Sequence, residues 1–410
     1  MEDKVRIASS ENWDMVVAKN FQQIEAIRPS WEQMQIGERH PTPQADIDRF
    51  RSIVESLGGG AQPYVMLLKS NDEPKTIVIG RLEKTRIKCS IGYKTLLELP
   101  LNCLSVVYGG IIGQHTDETC AVLIQKATEM LARDGIDAIC LSRLAPGSAA
   151  FRQATTRPNP FCRTHLPRVE RHWSMTIPRN IEAVYKSLAP KTRNTVGRKI
   201  RKLERQFAGQ IKVVTYRGEN ECERAIGAAA SISQHTYHAG LGAGLVDNAQ
   251  TREMMKVAAC HGWLRMSVLY IKDEPCSFQL GLQYGKTYFL EQLGFNPTWK
   301  EWNVGTYLFN KVLEELCLDP RVEELNFGFG DAQYKRTYGT EQWEEASVYV
   351  FALRPYPVLV NTLQTFIMAL NVFFEYVFNK VGGVNWIKRR WRNLFEEHVR
   401  DQAPESGHED

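Results

Sequence analysis

Leu325-Asn326-Phe327-Gly328-Phe329-Gly330-Asp331-Ala332-Gln333-Tyr334-Lys335-Arg336 is the stretch that decides the fold of this chain. A strand pattern over 323–327 runs into two glycines, then an acid, an aromatic residue and a lysine. Glycine at a strand end lets the backbone approach a ligand or take a positive φ. Asp331, Tyr334 and Lys335 offer a base, a proton donor and a cation for a developing oxyanion. The same residues also suit a bulged strand exit with solvated charges, so the surroundings must decide.

Upstream, the spacing predicts a strand at 211–216, a helix at 221–237 and a flexible glycine-rich loop at 240–244. A helix at 251–260 leads to a three-strand meander, 264–271, 276–284 and 287–295, joined through the turn residues Lys272-Asp273-Glu274-Pro275 and Tyr284-Gly285-Lys286. A helix at 304–317 then feeds the decisive strand, and 346–353 is the last strand. The first half repeats the plan. Strands at 64–68, 76–80 and 104–108 precede a helix at 120–132, and strands at 136–141 and 171–177 close it. Side chains do not visibly repeat, so the duplication is one of order. The reading is an α/β chain of two tandem domains with mixed, mostly antiparallel sheets: 12–180, degenerate, and 181–355, catalytic. An amphipathic helical tail spans 356–400.

The net charge of +4 over 410 residues makes no global demand for nucleic acid. The nine cysteines form no C-x-x-C pair or zinc-spaced cluster, and most sit in apolar runs. That usage fits a reducing compartment, and the polar first residues lack the apolar core of a signal peptide, so a cytoplasmic location is expected.

Asn326-Phe327-Gly328-Phe329-Gly330-Asp331-Ala332-Gln333-Tyr334-Lys335 resembles the D-F-G-x-G-D-x-x-Y-K strand of the CelD/BcsL-type GNAT acetyltransferases, relatives of the FemAB aminoacyltransferases. Asn326 replaces the first acid. The basic run 191–203, His235-Thr236-Tyr237, Gly262-Trp263-Leu264-Arg265 and Phe295-Asn296-Pro297 through Thr306 match in the same order. The resemblance covers 181–351; the first half matches in outline.

This resemblance implies a splayed sheet whose adjoining helix tip holds the pyrophosphate of an acyl-CoA co-substrate, with acetyl-CoA foremost. The family signature Q/R-x-x-G-x-G/A maps onto Lys300 to Gly305, with Asn303 in place of its first glycine. Lys300, Asn303, Val304, Gly305 and Thr306 are therefore the candidate donor-binding residues. Lys335 would neutralise the carbonyl oxygen, Asp331 would accept the acceptor's proton, and Tyr334 would donate to the leaving thiolate or pack. His235, His238, Glu291, Gln292, Phe327 and Gly330 are candidates for the acceptor side. No metal is expected, because the two histidines lack further ligands.

The implied reaction moves an acyl group to an amine or hydroxyl of a sugar, polysaccharide precursor or related small molecule. A FemAB-like aminoacyl transfer from tRNA and a non-catalytic accessory of a polysaccharide synthase are the rivals. The basic run 191–205 reads as a solvated helix face bridging the domains, or as a phosphate contact. In the tail, the polar residues of 358–378 fall on one stripe. That helix can pack on the protein, lie in a membrane interface together with the basic cluster up to 392, or span. The interface reading would place the protein at the inner face of a membrane.

Overall fold

The computed structural model describes residues 12–91, 94–234 and 245–381. The first half contains β1 (Trp13–Ala18), α1 (Phe21–Gly37), α2 (Ile47–Ser56), β2 (Ala61–Ser70), β3 (Glu73–Ile91), β4 (Lys94–Gly113), α3 (Asp117–Arg133), β5 (Ala138–Leu144), α4 (Ala149–Thr156) and β6 (Val169–Thr176). The second begins with α5 (Ile181–Ser187), α6 (Pro190–Gln206), β7 (Ile211–Tyr216), α7 (Cys222–Gln234), α8 (Ala249–Cys260), β8 (Leu264–Ile271) and β9 (Glu274–Tyr284). It ends with β10 (Thr287–Phe295), α9 (Val304–Leu318), β11 (Glu324–Phe329), α10 (Gln333–Tyr338), β12 (Glu341–Phe351) and α11 (Pro355–Val381).

Local chemistry sets these boundaries. Asn20 and Asp46 cap α1 and α2 by accepting first-turn amides, and Asn248 does the same for α8. The β2–β3 and β8–β9 hairpins turn through paired left-handed residues, Asn71-Asp72 and Lys272-Asp273. Such turns match the twist of the strands they join.

The strands form one sheet of twelve in the order β1-β2-β3-β4-β5-β12-β6-β11-β10-β9-β8-β7. The order mirrors itself about the β12–β6 seam: on each side the fifth strand of a half lies next to the seam strand and the first lies at the outer edge. The duplication expected from element order is thus a pseudo-two-fold of the sheet. The strands at the seam are exchanged. β6, from the first half of the sequence, pairs with β11, and β12, from the second, pairs with β5. The cores follow the exchange. Val348 and Val350 of β12 pack with α3 and α4, while Trp173 and Met175 of β6 pack with α9 and β11. A cut near residue 180 therefore divides the sequence but not the packing.

Side-chain contacts also tie the halves together. Tyr284 donates to Asp46 at 3.0 Å and accepts from Gln35 at 2.5 Å. Arg49 on α2 reaches Glu291 at 3.5 Å. The basic helix α6 packs on α9 and the turn before it, burying Val196 and Leu203, while Lys191, Arg193, Arg198, Arg201, Lys202 and Arg205 stay exposed. α11 lies along β3.

Candidate active site

β10 and β11 run parallel and pair only from Thr287/Glu324 to Phe289/Asn326. Beyond that point β10 continues to Phe295 against β9 alone, and β11 continues to Phe329 against β6. The sheet is therefore parted here. An irregularity between Leu290 and Gln292 makes Glu291 the extra residue of a bulge, a device that re-aims side chains next to sites. Past the split Leu293, Phe295 and Phe329 are partly exposed, at 43%, 38% and 49%.

The helix tip of α9 follows directly. A 3-10 turn, Pro297–Trp302, leads to Asn303 in the left-handed region at φ 54. The Asn303 side chain does not cap α9; its amide donates to the Glu301 carbonyl at 3.2 Å. No acid stands in the first turn. The amides of Val304, Gly305 and Thr306 thus have no side-chain acceptor, and the helix dipole adds partial positive charge. A Cβ at Gly305 would meet Phe295 at 3.6 Å, an ordinary contact, so packing does not demand the glycine. Lys300 is exposed beside the tip, and Lys202 of α6 sits 4.5 Å over the Trp302 ring.

The equivalent tip in the first half is closed. Thr116 caps α3 by accepting from Thr119, and Asp117 and Glu118 fill the first turn. Carboxylates there would repel an anion.

Lys335 on α10 is 7% exposed, and its Nζ donates to the Phe329 carbonyl at 2.6 Å. Burial, reinforced by the Arg143 charge, lowers its pKa to about 8. Two of its three donors remain for another oxygen. Tyr334 packs edge-on against Phe309 and Phe327, and burial pushes its phenol up to about 12. Asp331 is exposed and held by the Arg336 guanidinium, which lowers its pKa. A carboxylate so neutralised is a weak proton acceptor, so the base role expected for Asp331 does not fit its surroundings.

A buried polar chain crosses the seam next to this strand end. His172 on β6 meets Asn326 Oδ1 through Nε2 at 2.7 Å and Glu345 through Nδ1 at 3.1 Å. Asn326 Oδ1 also accepts from the Gly328 amide at 2.8 Å, fixing the turn into the glycines. Trp343 stacks on His172 at 4.3 Å and donates to Glu345, as does Tyr108. Sequence reading missed His172 and Glu345. Each sits among other polar residues of its strand, Val169–Thr176 and Glu341–Phe351, so no local pattern sets it apart.

Tyr108 and Glu345 also line a cavity of about 220 Å³, which lies where β4 parts from β5 in the first half. Arg143 lines it too and lays its guanidinium over the Phe329 ring at 3.1 Å. Arg143 has a left-handed backbone, φ 53, in a non-glycine residue, a strain often stored at functional sites. One arginine thus joins this cavity to the Lys335 neighbourhood.

The remaining candidates divide. Gly330 sits at φ 86, where only glycine is unstrained, and its amide donates to Arg171. Phe327 is 2% exposed and stacks on Phe309. It is a core residue and cannot touch an acceptor, contrary to expectation. Glu291 turns to Gln44 and Arg49 of the first half, while Gln292 is exposed. His235 and His238 lie outside the described residues. Among the described residues no group of three or more His, Cys, Asp or Glu side chains is placed to hold a metal ion.

Residues 190–336 match the family model of the acetyltransferase (GNAT) domain. The fold is similar to that of FemX at 10% identity and TM-score 0.55, covering 85% of this chain and 100% of that one. It is also similar to a tandem GNAT protein from the clavulanic acid biosynthesis pathway. There the identity is 10% and the TM-score 0.50, over 84% of this chain and 99% of the other. No curated protein sequence matches this chain.

Proposed function

We propose that this chain, whose 190–336 segment matches a GNAT acetyltransferase domain and whose fold is similar to that of FemX and a tandem GNAT protein, is a FemAB-like tandem GNAT acyltransferase. The second half takes the acyl-CoA co-substrate, with acetyl-CoA as donor. Its acyl group passes to an amine or hydroxyl of a small, sugar-like acceptor.

The contrast between the two helix tips carries this reading. The α9 tip is uncapped and free of acids beside a parted sheet, whereas the α3 tip is capped and acidic. Free amides and the dipole at 304–306 suit a pyrophosphate. Lys300 and Lys202 flank it with positive charge. Partly exposed Leu293, Phe295 and Phe329 suit the donor's uncharged arm.

At the reacting carbonyl, Lys335 supplies the charge. Its ammonium is buried and held by the Phe329 carbonyl, so it can face a developing oxyanion with little reorganisation. The acceptor enters from the cavity bounded by Tyr108, Arg143 and Glu345. At about 220 Å³ it falls below the size of drug-binding pockets and fits a small polar group. With Asp331 neutralised by Arg336, the proton of the attacking group leaves to water.

Aminoacyl-tRNA is the second donor reading, favoured by the exposed cations along α6. Calorimetry and product analysis separate the two. Micromolar acetyl-CoA binding, with acceptor-dependent release of free coenzyme A seen by mass spectrometry, supports the proposal. Binding of charged tRNA with no response to acetyl-CoA would replace it.

A further inference from the structure

The 27-residue helix α11 is docked the opposite way round from a core helix. Asn361 turns inward and donates to the Phe161 and Arg163 carbonyls at 3.0 Å, and Asn371 donates to the Ser90 carbonyl at 2.6 Å. Val360 and Ile367 share this buried side. The outward stripe holds Leu359, Phe366 and Phe373 at helical heptad spacing, exposed by 54%, 61% and 58%. No charged residue occurs from 355 to 374. A row of exposed large apolar side chains on a helix pinned by its polar ones marks an interaction surface.

Three further observations choose the occupant. The Asn371 contact sets the helix against the outer end of the β3–β4 hairpin. There Leu96 and Leu97 are exposed by 47% and 44%, and Arg86 and Lys88, exposed by 69% and 66%, flank the one carboxylate of Glu98 at 3.4 and 3.7 Å and leave a net positive charge. Apolar and basic side chains thus meet at one end of the molecule. The sequence after the helix adds Lys388, Arg389, Arg390 and Arg392, with Trp386 and Trp391 among them. Apolar stripe, tryptophans and cations together fit the interface of an anionic bilayer. α11 is long and apolar enough to cross a membrane. However, Asn361 and Asn371 tie it to the protein at points about 15 Å apart along its axis. A helix held along its length lies flat rather than crossing.

We infer that α11 and the β3–β4 hairpin end dock the protein on the surface of a membrane rich in anionic phospholipid, with the stripe through Phe366 immersed in the headgroup–acyl boundary.

Flotation of the full chain with phosphatidylglycerol–phosphatidylcholine vesicles tests this. Wild type should float with these vesicles and leave them on addition of high pH carbonate. Phe366→Ser/Phe373→Ser should weaken binding at least tenfold with unchanged circular dichroism, and Leu96→Ser/Leu97→Ser by a smaller factor. Pure phosphatidylcholine should bind more weakly still than the anionic mixture. Equal flotation of wild type and the double-serine variant would overturn the proposal. So would resistance to carbonate, which signals a spanning helix. Failure to float, with dimers in ultracentrifugation that the double-serine variant abolishes, would assign the stripe to a second copy instead.

Discussion

Lys335 Nζ lies 2.6 Å from the carbonyl oxygen of Phe329, the residue whose ring carries the Arg143 guanidinium. This contact places a buried cation at the end of the strand where the sheet has parted, and sets how the reaction responds to pH. The Lys335 pKa is lowered from 10.5 to about 8, chiefly by burial, so the ammonium is present below that value and lost above it. If Lys335 acts as a cation, kcat/KM should fall roughly tenfold per pH unit above about 8. Lys335→Arg should extend the plateau, and Lys335→Met should cost about 10²–10³-fold at pH 7 with the fold intact. A rate that instead rises through pH 8 would make Lys335 the base.

Asp331 gives the complementary test. Its pairing with Arg336 on the surface leaves it no catalytic proton to take. Asp331→Asn should change kcat by less than about threefold, against the 10²–10⁴ that loss of a general base costs. Steady-state rates with saturating donor decide between these figures.

His172 is enclosed between Glu345 and Asn326 and is 1% exposed. His172→Ala removes a partner from each and leaves a cavity beneath Trp343. Urea unfolding should show a loss of about 2–4 kcal/mol. The glycine turn after Asn326 should also loosen, visible as faster amide exchange at Gly328 and Gly330. A loss under 1 kcal/mol with unchanged exchange would remove the network from the account.

Asp46 sits between the halves, and burial raises its pKa. A carboxyl whose folded pKa is raised adds stability at low pH that is lost as pH rises through that value. Asp46→Asn keeps a good helix cap through its one oxygen, and its new amide can donate to the Tyr284 hydroxyl, which now donates to Asp46. It should therefore unfold at the same or a higher temperature than wild type at pH 7, with the difference shrinking towards pH 3.5. A lower melting temperature at pH 7 would show that the charge itself holds the halves together.

The legible parts of the fold are those written locally. The second-half meander from 264 to 295 is three apolar-rich runs broken at Lys272-Asp273 and Gly285, so its strands match the structure closely. The Phe327–Lys335 segment likewise brought Lys335 into view. The exchange of β6 and β12 carries no local signal, because β6 joins partners more than 140 residues away. His172 and Glu345 stayed hidden for the same reason: each is one of several polar residues in its strand until the sheet sets them side by side. α1 and α2 were passed over, since α1 holds Pro29 and α2 is short and rich in charge. On α11 the polar stripe was legible but not its direction, because inward asparagines depend on carbonyls that β3 and the 160–163 turn supply.

Donor binding at the α9 tip is the central claim, and one titration reaches it most directly. Gly305→Glu should keep the fold, because a Cβ there meets only an ordinary contact, but it sets a carboxylate where Glu118 stands in the closed first-half tip. Calorimetry with coenzyme A should give micromolar binding for wild type and for Asp117→Asn, and binding more than about tenfold weaker, or ~1.4 kcal/mol, for Gly305→Glu. Equal affinity in wild type and Gly305→Glu would contradict the account.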